Sequence, residues 1–253
     1  MSAIYVEITG TRGSAPRDAG TVMKVTGDGI EGTIGGGALE HRAIATARRL
    51  MAQGGAVHEE TIPLGPSLGQ CCGGSVRLRY GGAAKGIDPP PAPLEGLRVT
   101  DHAPVPLWIW GAGHVGRAVV AAAPPQAFDI TWIDSAVERF PREIPAHVNA
   151  LPAADMPLLA ARAPQDAHHL IFTYSHEIDF ALCAALLKRE KASIGLIGSD
   201  TKWARFRKRL IALSLDPAPI TCPIGDKSLG KAPAQIANGV VRALLPVPAK
   251  APA

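Results

Sequence analysis

WIWGAGHVGRAVVAAAPP, residues 108–125, runs an apolar strand into a G-x-G-x-x-G turn and then into a helix that Pro124-Pro125 stop. Each glycine serves a different purpose. Gly111 permits the tight turn, Gly113 lets a phosphate approach the backbone, and Gly116 lets helix and strand pack closely. The N-terminus of such a helix offers free N–H groups and a partial positive charge, so the ligand to expect is an anion, a phosphate or a nucleotide. Asp134 closes the next apolar run, DITWID, at the distance where a carboxylate accepts ribose hydroxyls. The alternative is a Rossmann fold whose glycines serve packing alone.

On both sides of this stretch the pattern alternates. PLWIW, DITWI, HVNAL, HLIFTY and SIGLIG read as strands, and helical patterns begin near His114, Met156, Glu177, Lys202 and Pro233. That alternation predicts a parallel sheet covered on both faces. The first 82 residues read differently: the short β-rich runs IYVEIT, GTVMKVT, EGTI, EETIPL and SVRLRY surround one helix, ALEHRAIATARRLM. Between the halves, GGAAKGIDPPPAPLEG is rich in Gly and Pro and continues neither a helix nor a central strand. The expected organisation is an N-terminal domain over 1–82, a linker over 83–105 and a Rossmann-like domain over 106–253. The fold class is therefore α/β, a C-terminal Rossmann-like doubly wound parallel sheet with a smaller N-terminal α+β domain.

Composition narrows the functions. With 47% hydrophobic and 19% charged residues among 253, the chain suits a globular protein with a substantial core. No apolar run approaches the ~18 residues that span a bilayer, so no membrane is expected as a partner. The start, MSAIYVEITGTRG, lacks the basic and apolar regions of a signal peptide. The four cysteines, Cys71, Cys72, Cys183 and Cys222, lack framework spacing and fit a reducing cytoplasm. Lys and Arg outnumber Asp and Glu by only 26 to 22, which does not imply nucleic acid but suits an anionic small ligand. The helix pattern TKWARFRKRL carries Lys202, Arg205, Arg207, Lys208 and Arg209, read as a solvated face or a docking surface.

Two further segments carry candidate chemistry. Gly35, Gly36 and Gly37 open the N-terminal helix with exposed N–H groups, Arg12, Ser14 and Arg17 lie in a polar loop before it, and Glu40 falls in its first turn. For Glu40 a carboxylate favoured by the helix dipole is the structural alternative. LGQCCGG, 68–74, sets Cys71 and Cys72 side by side among glycines, where neither a mutual disulfide nor a zinc knuckle is expected. One thiol is expected to face a ligand and the other to pack inward, with Cys71 favoured as the ligand-facing one. Cys183 lies on an apolar helix face and reads as packing.

Together these motifs resemble the xanthine dehydrogenase accessory protein family (XdhC/CoxI type). RGSAPRDAG (12–20), TIGGGALE (33–40) and LGQCCGG (68–74) carry the resemblance in the first half. WGAGHVGRA (110–118), ERFP (138–141), TYSHEIDFAL (173–182), IGSDTKWARFRKRL (197–210), CPIG (222–225) and GKAPAQIA (230–237) carry it in the second. The resemblance implies a chaperone, not an enzyme. It binds molybdenum cofactor (molybdopterin) as cargo, assists its sulfuration with a cysteine desulfurase, and inserts it into an apo molybdenum hydroxylase of the xanthine dehydrogenase type. A homodimer in the cytoplasm is the expected form. The candidate cofactor-binding residues are Arg12, Ser14, Arg17, Gly35, Gly36, Gly37, Glu40, Gln70, Cys71, Cys72, Gly111, Gly113, His114, Gly116, Asp134, Ser175 and His176, with Cys71 a candidate molybdenum ligand. The rival reading is a nicotinamide-dependent oxidoreductase that binds a nucleotide on the Rossmann half, with His176 as its proton donor or acceptor.

Overall fold

The computed structural model describes residues 3–55, 57–65, 74–82, 86–88, 94, 103–189 and 193–245. They form two compact units, Met1–Pro90 and Pro91–Ala253. Most of the segment expected as a linker lies outside the described residues. Of its described part, Asp88 pairs with Arg17 of the first unit and Leu94 packs on a core of the second.

The first unit is one antiparallel sheet and one helix. Strands β1 (Ala3–Arg12), β2 (Val22–Thr26), β3 (Ile30–Gly32), β4 (His58–Pro63) and β5 (Ser75–Gly81) lie in the order β3-β2-β1-β5-β4. The strands alternate as a half-buried sheet must: Ile4, Val6 and Ile8 of β1 and Val76, Leu78 and Tyr80 of β5 are fully buried while their neighbours are not. Helix α1 (Gly37–Ala52) covers that face with Leu39, Ala43, Ala47 and Leu50, the same stripe that its sequence spacing marks.

The second unit is doubly wound. β6 (Val105–Trp110), β7 (Phe128–Asp134), β8 (Val148–Pro152), β9 (His168–Ile171), β10 (Ser193–Leu196) and β11 (Ile220–Thr221) are all parallel, in the order β11-β10-β9-β6-β7-β8. Helices α2 (His114–Ala122) and α6 (Pro233–Leu244) pack on one face. Helices α3 (Met156–Ala160), α4 (His176–Leu186) and α5 (Asp200–Ala212) pack on the other. Strand order reverses between β6 and β9, which is where α/β sheets open a crevice at the carboxyl ends of their strands. The strand β11 is absent from the sequence reading, because two residues are too few for a periodic signal.

One core group makes the second unit sensitive to acid. His169 is 1% exposed, and its Nδ1 accepts the indole N–H of Trp110 at 3.3 Å. Burial first, then the charges of Arg189 and His168, push its pKa down from 6.5 to about 4. Between those values the unfolded chain binds a proton that the folded chain refuses. Stability is therefore whole above pH 6.5 and falls as pH drops towards 4, by about 2–3 kcal/mol at ~1.4 kcal/mol per pKa unit. Urea titrations at pH 7 and 4.5 check this: His169→Phe should show a flatter pH dependence than the wild type over that interval.

Candidate functional site

In the second unit, three loops meet at the end of β6. The glycine turn follows β6, the segment 134–139 follows β7, and the segment 172–176 follows β9. Gly111 has φ 120°, and its N–H donates to the Ile133 carbonyl at 2.7 Å. A Cβ there would collide with the Phe172 carbonyl, so only glycine lets the loops after β6 and β9 lie this close. A Cβ on Gly116 would collide with the Gly111 carbonyl oxygen, which also accepts the Trp132 indole N–H at 3.0 Å. Gly113 differs from both: it is exposed, its φ is −74°, and a Cβ would meet nothing within 4 Å. The space in front of Gly113, at the N-terminus of α2, is open. His114, half-buried, starts that helix.

Asp134 is where the structure departs from the expectation of a ribose acceptor. It is 0% exposed. Its Oδ2 accepts the Ala112 N–H at 2.6 Å, and its Oδ1 accepts the Ser135 N–H at 2.6 Å and the Ser135 hydroxyl at 3.2 Å. Arg139 Nε stands 2.7 Å from Oδ1 as the counter-charge. The carboxylate holds the glycine turn against β7 and turns no oxygen to the crevice. Arg117 ties the same loops together, donating from Nε to the Ala112 carbonyl and from Nη2 to the Arg139 carbonyl, each at 2.9 Å.

On the β9 side, Ser175 caps α4 by accepting the Ile178 N–H at 3.4 Å, and His176 is the first residue of that helix. Burial first, then the Lys202 ammonium, lower the His176 pKa below 6.5, against the opposing pull of Asp179. Beneath His176, the Thr173 N–H and hydroxyl donate to Asp179 Oδ1 at 3.0 and 2.6 Å, and Lys202 Nζ donates to Asp179 Oδ2 at 2.6 Å and to the Ile197 carbonyl at 2.9 Å. Lys202, grouped by sequence with a basic helix face, is thus buried and paired. Arg209 is held as well, bidentate on Glu177 and stacked 3.8 Å over the Phe180 ring.

Three residues of this crevice escaped the sequence reading. Arg139, Tyr174 and Asp179 lie inside ERFP and TYSHEIDFAL, but only the fold shows that Arg139 after β7 reaches Tyr174 after β9. Its guanidinium lies 3.9 Å from the Tyr174 ring centroid.

In the first unit, the candidate loops also gather at one end. Gly35 (φ 122°) leaves room for Pro16, whose Cγ would lie 2.6 Å from a Cβ, and Gly36 and Gly37 also have positive φ. Glu40 is buried, and its Oε2 accepts the N–H groups of Ile34 at 3.0 Å and Gly36 at 3.1 Å and the hydroxyl of Thr33. This carboxylate folds the glycine loop over the start of its own helix. Arg17 is buried against Asp88, and its Nη1 has no hydrogen-bond partner among the described residues. Arg12 and Ser14 are exposed, and a Cβ on Gly74 would collide with the carbonyl oxygens of both. The Leu64 N–H donates to the Gly74 carbonyl at 2.7 Å. Leu64 and Gly74 are thus joined beside Arg12 and Ser14, whereas Gln70, Cys71 and Cys72 lie outside the described residues.

The two other cysteines are free. Burial pushes the Cys222 thiol up to about 11 and the Cys183 thiol higher still, so neither supplies a thiolate near pH 7. Among the described residues no three His, Cys, Asp or Glu side chains gather as metal ligands, and no helix is long and apolar enough to cross a membrane.

A parallel six-stranded sheet whose glycine turn sits at the reversal of strand order defines a Rossmann domain, here joined to a small antiparallel α+β unit. The chain belongs to the XdhC and CoxI family: residues 107–242 match its XdhC Rossmann domain and residues 2–61 match the XdhC and CoxI family itself. It is similar to the uncharacterized protein YqeB of Escherichia coli (strain K12), with 24% identity over 97% of this chain and 43% of YqeB. The chain thus spans less than half the length of that relative. Among solved structures it is similar to a xanthine dehydrogenase from Bacillus halodurans, at 18% identity and a TM-score of 0.48, over 96% of this chain and 90% of that one.

Proposed function

We propose that this protein is an accessory protein in the maturation of a molybdenum hydroxylase, and not itself the hydroxylase. It binds molybdenum cofactor as cargo in the cytoplasm, presents it for sulfuration by a cysteine desulfurase, and passes it to an apo-enzyme of the xanthine dehydrogenase type. Family membership across both units supports the maturation role. The observation that carries the choice of ligand is the contrast within the glycine turn: Gly113 keeps an open space at a helix N-terminus while Asp134 is buried. A phosphate-tailed cargo needs the first feature and has no use for an acceptor of ribose hydroxyls. The oxidoreductase alternative loses its ribose acceptor. Cys71 remains part of the proposal as a candidate soft ligand of molybdenum.

The test uses Gly113→Val. With nothing near a Cβ and an ordinary φ, the variant is expected to stay within about 1 kcal/mol of wild-type stability, the cost of a poorer cap. Molybdenum and pterin retained after anaerobic purification should fall at least about tenfold, and transfer to an apo molybdenum hydroxylase should fall with it. Undiminished cofactor in a folded variant removes the Rossmann unit from the binding site.

A further inference from the structure

We propose that Arg139 is the anion-reading residue of the Rossmann crevice, and that it selects ligands ending in a terminal phosphate. This rests on the reading of that crevice as the ligand site, and goes further by naming what the ligand must carry.

Arg139 is a half-exposed arginine fixed from three directions. Its Nε is 2.7 Å from the buried Asp134 carboxylate. Its carbonyl accepts Arg117 Nη2 at 2.9 Å, so its backbone is tied to the first turns of α2. Its guanidinium carbon lies 3.9 Å from the ring centroid of Tyr174, a residue 50% exposed at the far side of the crevice. The strands β7 and β9 flank β6, so a side chain rooted after β7 and stacked on a residue after β9 spans the carboxyl end of β6, where the glycine turn lies.

An exposed arginine on a free stem loses rotamer entropy when it grips a ligand. This one has already lost it, which is what pre-organisation means for affinity. Asp134 stands beside Nε as a counter-charge, with no hydrogen bond to that nitrogen among the described residues, and Tyr174 covers one face of the fork. They leave the two Nη nitrogens, the pair that matches phosphate oxygens, without a partner among the described residues. Asp134, neutralised by that same arginine, offers the ligand no acceptor. In dinucleotide-binding sheets, a carboxylate at this place selects the ribose diol, whereas an arginine accommodates a phosphate on it. Here the carboxylate has been turned inward and the arginine outward. The chemistry to expect is a terminal phosphate monoester, whether the tail of a pterin cofactor or a phosphorylated nucleotide.

Equilibrium dialysis of the full chain against NAD+, NADP+ and molybdopterin, the last without oxygen, tests this. NADP+ differs from NAD+ by one phosphate monoester. At least one of the two monoester probes should bind about tenfold or more tightly than NAD+, and Arg139→Gln should erase that margin. Because Arg139→Gln strands the Asp134 carboxylate, Arg139→Lys, which keeps a cation beside that carboxylate and loses the planar fork, is measured beside it and should lose most of the margin in a folded protein. Preference for molybdopterin identifies the cofactor tail as the source of the phosphate, and preference for NADP+ identifies a nucleotide. NAD+ binding as tightly as both monoester probes overturns the proposal, as does a margin that survives intact in both variants, or no binding of either monoester by the wild type. Molybdopterin held equally by wild type and variants removes Arg139 and leaves the carrier reading standing. A margin for NADP+ with no molybdopterin bound does the reverse.

Discussion

Lys202→Met is expected to cost the second unit about 3–5 kcal/mol, the usual loss when one partner of a buried ion pair is removed. Lys202 and Asp179 are 5% and 1% exposed, and the ammonium bridges the carboxylate to the Ile197 carbonyl across the ends of β9 and β10. Methionine preserves the stem's volume and leaves the charge on Asp179 facing, among the described residues, the two Thr173 donors. Asp179→Asn combined with Lys202→Met should recover most of the loss, because an amide oxygen still accepts from Thr173 and no charge remains to be desolvated. Urea denaturation of the two variants decides the matter. A loss below about 1 kcal/mol in the single variant would mean that water reaches the pair. The 172–176 loop rests on this pair, so the single variant should also disorder the β9 side of the crevice.

The second large effect separates two glycines of one motif. Gly116→Val should destabilise the protein by at least about 3 kcal/mol, because its Cβ falls on the Gly111 carbonyl, and neither the helix nor the strand that fixes that carbonyl yields cheaply. Gly116→Ala incurs the same collision, offset in part by the better helix propensity of alanine. Gly113→Ala, three residues away, should stay within about 1 kcal/mol of wild type. Thermal melts of the three variants check the contrast. Equal losses at Gly113 and Gly116 would refute the division of the motif into one open glycine and one packing glycine.

That division marks where sequence reading stops. Apart from the two-residue β11, the types and order of the strands and helices were legible, because they rest on near-neighbour signals. Examples are the alternation of Ile4, Val6 and Ile8, the stripe Leu39, Ala43, Ala47 and Leu50, and the apolar run into G-x-G-x-x-G. The candidate site was legible as a set of segments: the glycine turn, the RGSAPR and TIGGG loops and TYSHEID all fall at the ends of the elements that carry them. Their separate roles were not. Glu40 and Asp134 have the composition of ligand acceptors, yet each turns one oxygen to the backbone N–H groups of a glycine loop.

What the sequence by itself determined is the pair of folds and the place of the glycine turn, since strand, glycine and helix are consecutive and their conformations are set within a few residues. Which charges face a ligand and which are consumed inside was decided only by the tertiary structure. Asp134 meets the Ala112 N–H across 22 residues and Lys202 meets Asp179 across 23. Arg139 reaches Tyr174 only because the sheet sets β7 and β9 on either side of β6. The physical reason is that a side chain's charge is neutralised by whatever folding brings within about 4 Å of it, and burial makes that pairing obligatory. No local pattern in the chain records the partner.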